Sequence, residues 1–231
     1  MLEHVLNLGN QLKTDLEISE GFTSFNYERI LIVGMGGSGV AGDVLKLLLN
    51  QHTNIDVEVR KTYNLSKTHI ATRPFCLFIS YSGNTEETVS VAKDAIDENL
   101  EWAAISSGGE LLELAMKYNK KFIKVSPGLQ PRAAFGFMTK AVINFLPDQT
   151  KEIFINACEE AGNYLNDLME DDSSKVFEIS KNIATQIGSR TAVIYAGSDL
   201  TYLAAQRWKT QINENSKSKA YVGLMPEVHH N

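Results

Sequence analysis

At 231 residues the chain can hold one large domain or two small ones, each around a real hydrophobic core. Hydrophobic residues make up 43% and charged residues 22%, the balance of a globular protein, and a net charge of −6 with no basic stripe argues against nucleic acid as a partner. No run is long and apolar enough to cross a bilayer, and the opening MLEHVLNLGNQLKTDLEISEG lacks the basic start and apolar block of a signal peptide. A cytoplasmic protein with no membrane partner is therefore the expectation.

Leu2, Val5, Leu6, Leu12 and Leu16 predict a short amphipathic opening helix, bent or broken near Gly9. Ile30–Val33 is the first buried strand; it runs into Gly34-Met35-Gly36-Gly37-Ser38-Gly39 and a helix over Val40–Asn50. A second strand is expected over Ile55–Arg60. The third, Phe75–Ile79, leads into Ser80-Tyr81-Ser82-Gly83-Asn84-Thr85-Glu86-Glu87-Thr88, after which Val89, Val91, Ala92, Ala95 and Ile96 recur at helical spacing. Trp102–Ile105 ends in Ser106-Ser107-Gly108-Gly109 and a helix from Glu110, and Phe122–Val125 leads into Ser126-Pro127-Gly128-Leu129-Gln130-Pro131-Arg132. Strand and helix alternate, which predicts the α/β class: a parallel sheet, right-handed crossovers and helices on both faces.

One long apolar helix over Ala133–Leu146 closes this unit, and Pro147-Asp148 breaks the chain. A polar-faced helix over Thr150–Asp172 ends in Glu170-Asp171-Asp172, most simply a solvated boundary. Ser173 is placed to cap a further helix to Ile187, with Gly188 as its stop. Ala192–Tyr195 then repeats the first strand and Ala196-Gly197-Ser198-Asp199 loosely repeats its turn, before a helix over Leu200–Asn213 and a strand over Ala220–Leu224. The expected division is 1–148 for a first α/β unit and 149–231 for the first part of a second.

In open parallel sheets ligands collect beyond the carboxyl ends of the strands, where every glycine- and serine-rich turn here falls. The turn at 80–88 offers a helix N-terminus, the hydroxyls of Ser80, Ser82 and Thr85 and one glycine, all suited to an anion, without a Lys or Arg. An ordinary N-cap at Asn84 or Thr85 accounts for that turn equally well. The second glycine-rich turn, at 34–39, tips the balance toward a phosphate. Gly34-x-Gly36-x-x-Gly39 also satisfies the dinucleotide fingerprint, with Asp56 or Glu58 near the expected ribose-binding acid, so an NAD(P)-dependent oxidoreductase is a rival reading. Two phosphate-suited turns on neighbouring strands fit a compact sugar phosphate better. Cys76 and Cys158 have no metal or redox spacing and read as buried fillers; His4, His52 and His69 read as isolated surface residues; neither metal nor cofactor is proposed.

The segments Gly36-Gly37-Ser38-Gly39-Val40-Ala41-Gly42-Asp43, Ser80–Thr88 and Gln130-Pro131-Arg132-Ala133-Ala134 resemble the bifunctional phosphoglucose/phosphomannose isomerases, members of the sugar isomerase (SIS) fold family. Arg207–Lys217 is similar to that family's catalytic-glutamate segment, and Pro226–Asn231 to its histidine segment, with His229 where the family usually has Asn. The resemblance implies two flavodoxin-like SIS subdomains, the second incomplete, since family members continue past the position of Asn231 and supply a ring-opening lysine there. It implies interconversion of glucose 6-phosphate, with mannose 6-phosphate as a further substrate, and fructose 6-phosphate through a cis-enediol. Glu214 would be the base, Arg132 the stabiliser of the enediolate and His230 the ring-opening acid and base. Gly37, Ser38, Ser80, Ser82 and Thr85 would hold the phosphate, and the histidine would enter the neighbouring subunit's site in a homodimer. From the residues alone, Glu214 reads as a solvated helix-end charge, Arg132 equally as a stabiliser of negative charge or a surface ion pair, and His230 as an exposed terminal histidine. A non-catalytic SIS-type sugar-phosphate sensor is the second reading.

Overall fold

A computed structural model describes residues 2–21, 27–171 and 173–230, so Asp172 and Asn231 of the segments above lie outside the described residues. The chain divides into two compact units, Met1–Gly162 and Asn163–Asn231.

The first unit opens with two short helices, α1 (Leu2–Leu6) and α2 (Leu8–Lys13), and a two-residue strand β1 (Glu17–Ile18). It continues through β2 (Arg29–Gly34), α3 (Gly36–His52), β3 (Asp56–Arg60), α4 (Lys67–Thr72), β4 (Phe75–Ile79) and α5 (Glu86–Asp97). β5 (Trp102–Ser106), α6 (Gly109–Lys117), β6 (Lys121–Lys124), α7 (Phe135–Ile143) and α8 (Asp148–Asp171) follow. The strands form one sheet in the order β1-β6-β5-β4-β2-β3, parallel except for β1 against β6. Every residue of β4 and β5 is buried, as expected of central parallel strands covered on both faces. Register is set by Ile30 opposite Phe75 and Cys76 opposite Trp102. One core layer gathers Leu31, Val33, Phe78, Trp102, Val91 and Leu111, with the Phe78 and Trp102 rings edge to face at 5.6 Å. Burial pushes the Cys76 thiol up to about 12, which makes it an inert filler of β4.

The alternation of strands and helices predicted from the sequence is present, with four local differences. The opening helix breaks at Asn7, while Gly9 is buried inside α2. The segment 36–39 is the first turn of α3 itself: burial outweighs the poor helix propensity of three glycines. The apolar run after Ala133 is helical only from Phe135 to Ile143. Helix α4 was not foreseen, and with it His69 leaves the surface class. His69 is buried; its main-chain N–H donates to Ser66 Oγ (3.2 Å), its Nδ1 accepts from the Ser66 N–H (3.3 Å), and its Nε2 lies 2.9 Å from Glu58 Oε2 on β3. That reciprocal pair is a capping box with histidine in the place of the usual Glu or Gln.

The start of α8 packs within the first unit: the Phe154 ring meets His52 edge-on at 5.4 Å, and Lys140 Nζ on α7 pairs with Glu159 at 3.2 Å. The division between units thus falls inside α8, whereas residue 148 marks only the start of that helix. The second unit contains α9 (Ser173–Ile187), β7 (Ala192–Ala196), α10 (Asp199–Gln211) and β8 (Ala220–Leu224). β7 and β8 pair in parallel, with Val193 opposite Tyr221 and Tyr195 opposite Gly223. Val193, Tyr195 and Tyr221 therefore share one face, and all three are more than half exposed.

Candidate active site

The chain runs from β2 outward to β3, then returns past β2 to β4 and continues the other way. The sheet order thus reverses between β2 and β4, and open α/β sheets keep their ligands at such a reversal, beyond the carboxyl ends. Both helices leaving those two strands start without a side-chain cap: Met35 precedes α3, and Thr85, at the N-cap of α5, makes no cap bond. Two helix starts with unsatisfied N–H groups at adjacent strand ends form a setting for an anion.

The hydroxyls expected to hold a phosphate lie along this edge. Ser38, in the first turn of α3, is buried and its Oγ accepts the Tyr81 N–H at 3.1 Å, so the two turns touch. Ser80 is fully buried; its Oγ accepts the Gly83 N–H (3.1 Å) and shares a 2.8 Å bond with Thr85 Oγ1. Ser82 is exposed and its Oγ accepts the Asn84 N–H at 3.2 Å. The capping alternative for Asn84 takes an unexpected form: Asn84 Oδ1 accepts the Glu110 N–H (3.0 Å) and so caps α6, not its own helix. Beneath the turn, Ser107 Oγ donates to the Tyr81 carbonyl at 2.6 Å. Gly83 (φ +72°) comes so close to the 106–109 turn that a Cβ would stand 1.7 Å from the Gly108 oxygen.

Arg132 is half-buried in a 3-10 turn, Pro131–Ala133, laid against the first turn of α3. Gly37 makes that approach possible: a Cβ there would be 2.9 Å from the Pro131 carbonyl oxygen and 3.5 Å from the Arg132 Cα. Tyr81, which sequence reasoning passed over, ties the loop before that turn to the cradle. Its ring is buried, and its hydroxyl donates to the Ser126 carbonyl (2.8 Å) and accepts the Leu129 N–H (3.0 Å). Burial raises the phenol above its ordinary range, countered in part by the Leu129 bond, so it remains a neutral donor. Lys61 was also passed over: its stem lies over Gly39, and its Nζ is 3.6 Å from Asp43 Oδ2, which brings positive charge to the start of α3. The acids of the dinucleotide reading are engaged elsewhere. Asp56 opens β3 at the amino edge and pairs with Arg29 at 2.8 Å, and Glu58 is held by His69 and Arg60.

Glu214 and His230 lie in the second unit. Glu214 sits half-buried in a single π-helical turn, Ile212–Ser216, that extends α10. Such turns are rare and cluster at functional sites. Asn213 Oδ1 accepts the Ala220 N–H at 2.9 Å and so pins the turn to the start of β8. Burial lowers the pKa of the Arg207 guanidinium, and the charge of the nearby Glu214 opposes that shift. His230 follows a 3-10 turn, Glu227–His229; its ring is exposed and its main-chain N–H donates to the Glu227 carbonyl at 2.9 Å.

Comparison with known proteins matches residues 25–110 to the SIS domain and residues 178–231 to the bacterial phospho-glucose isomerase C-terminal SIS domain. The bifunctional phosphoglucose/phosphomannose isomerase of Thermoplasma acidophilum is 37% identical over 234 residues, covering 99% of this chain and 69% of that protein. This chain belongs to the bifunctional phosphoglucose/phosphomannose isomerase family. A relative from Sulfolobus acidocaldarius, named D-glucosamine-6-phosphate 4-epimerase, is 32% identical over 88% of this chain and 62% of its own length. Among solved structures, the C-terminal domain of glucosamine-fructose-6-phosphate aminotransferase from Francisella tularensis shares the fold, with a TM-score of 0.73 at 15% identity, over 100% of this phosphoglucose/phosphomannose isomerase family chain and 71% of that one.

Proposed function

We propose that the chain is an aldose–ketose isomerase that interconverts glucose 6-phosphate and fructose 6-phosphate, with mannose 6-phosphate as a further substrate, in the cytoplasm. The observation that carries the reading is the Tyr81–Ser38 hydrogen bond at the sheet reversal, which makes one anion cradle out of two turns distant in sequence. Ser38, Ser80, Ser82, Thr85 and the backbone at Gly37 hold the phosphate. Glu214 moves a proton between C1 and C2 of the open sugar, Arg132 stabilises the negative charge of the cis-enediolate, and His230 relays protons at the ring oxygen as the sugar opens. The family supports a homodimer in which the histidine segment of one chain serves its partner. The apolar face formed by Val193, Tyr195 and Tyr221 adds support for a buried contact in that unit.

The deciding experiment is Glu214→Gln, assayed by coupled detection of fructose 6-phosphate and by calorimetry with inorganic phosphate. Loss of a positioned general base lowers turnover by about a hundred- to ten-thousandfold, with phosphate affinity unchanged. Turnover that survives the substitution removes Glu214 from the mechanism. Binding of fructose 6-phosphate by a wild-type chain that turns nothing over assigns it instead as a sensor, and a 4-epimer in the products assigns it the chemistry named for the Sulfolobus relative.

A further inference from the structure

A fully buried glutamine on a short N-terminal helix has to satisfy both ends of its amide inside the protein. Gln11, on α2, is 0% exposed. Its Nε2 donates to the Ala133 carbonyl at 2.9 Å and its Oε1 accepts the Gly136 N–H at 3.1 Å. Ala133 ends the 3-10 turn that carries Arg132, and Gly136 lies in the first turn of α7, whose N–H groups have no partner within the helix. Ala134, at the N-cap of α7, has no polar side chain to serve them. Gln11 does so from a remote element, and the room it needs is made by Gly136, where a Cβ would stand 2.6 Å from the Gln11 Cβ. The Arg132 turn is thus clamped from two sides, by the Gln11 amide and by the first turn of α3 at Gly37.

We infer that Gln11 is a positioning residue that sets the place of Arg132 beside the phosphate cradle; the inference rests on the charge-stabilising role proposed for Arg132. It makes the N-terminal helix part of the active-site scaffold. Two probes separate this role from a general strut. The first, 5-phospho-D-arabinonate, carries a carboxylate where the enediolate charge develops; the second, D-arabinitol 5-phosphate, has the same phosphate and no such charge. Wild type is expected to prefer the first in calorimetric titrations, and Arg132→Ala to erase the preference.

Gln11→Met keeps the volume and removes both hydrogen bonds. It is expected to bind arabinitol 5-phosphate as wild type does and the arabinonate about tenfold or more weakly, in line with the sensitivity of sites to small misplacements. Gln11→Leu, which also removes both hydrogen bonds and adds no buried charge, is expected to show the same split between the probes, and this variant decides the matter alone if the methionine chain does not fold. Wild-type affinity for both probes in the variants overturns the inference, as does a parallel loss of both. A preference that persists in Arg132→Ala, or is absent from wild type, brings down the reading of Arg132 instead.

Discussion

An alanine at position 83 would need a left-handed φ of +72° and would drive its methyl group to 1.7 Å from the Gly108 oxygen, a main-chain atom that has no side-chain freedom with which to yield. Gly83→Ala is therefore expected to destabilise the first unit by about 3 kcal/mol or more in urea melts, and to abolish phosphate-induced stabilisation. A loss below about 1 kcal/mol would mean that the 80–85 and 106–109 turns can part without harm. At this scale the sequence disclosed local placement better than contacts. That Ser38, Ser80 and Thr85 fall in turns after strands was legible from the apolar runs before them, and the hydrogen bond from Tyr81 to Ser38 joins their two turns. Tyr81 was not legible, since an aromatic residue after a strand reads as core, and its partners Ser126 and Leu129 come from a distant loop. His69 misled for the same reason: Glu58, which holds it, lies on another element.

Helix α4 shows the same limit for whole elements. Its six residues, KTHIAT, are too few for a period, and its capping box uses a histidine where the familiar signal is Glu or Gln. Its tie to β3 runs through Glu58. Partial burial pulls that carboxyl up, but the hydrogen bond from His69 and the charge of Arg60 outweigh it and hold the group below the usual carboxylate range. A carboxyl lowered in the folded state adds stability that is complete above its ordinary value, about 4.3, and disappears as the pH falls through the lowered one. Hydrogen-exchange protection of residues 67–72 is expected to weaken in that acid window, and Glu58→Gln to remove the window by weakening the helix at every pH. An acid profile identical in the variant would place the titrating group elsewhere. The π-helical turn at Ile212–Ser216 was equally hidden, because an altered hydrogen-bond pitch leaves no trace in the spacing of apolar residues.

Across the molecule the two units differ in how fully they are enclosed. The six-stranded sheet of the first is buried at its centre, while the two strands of the second leave Val193, Tyr195 and Tyr221 in solvent. Parallel strands are ordinarily covered on both faces, so the proposed dimer is expected to show in light scattering as a particle of about twice the 25.6 kDa of one chain. A single-chain mass at micromolar concentration, unmoved by fructose 6-phosphate, would count against a shared active site. The layered α/β plan was readable throughout because buried parallel strands announce themselves as short apolar runs, of which Phe75–Ile79 is the plainest. The order of the strands was not, since nothing local records that β4 lies beside β2 on the side away from β3. That order has a further consequence for the nascent protein. Residues 36–38 and 80–85 become neighbours only when the outward and returning halves of the sheet have zipped together. A ribosome-bound or nicked fragment missing either of them has no partial cradle to offer, and the proposed capacity to capture a phosphoester arrives in one step with the pairing of β2 and β4.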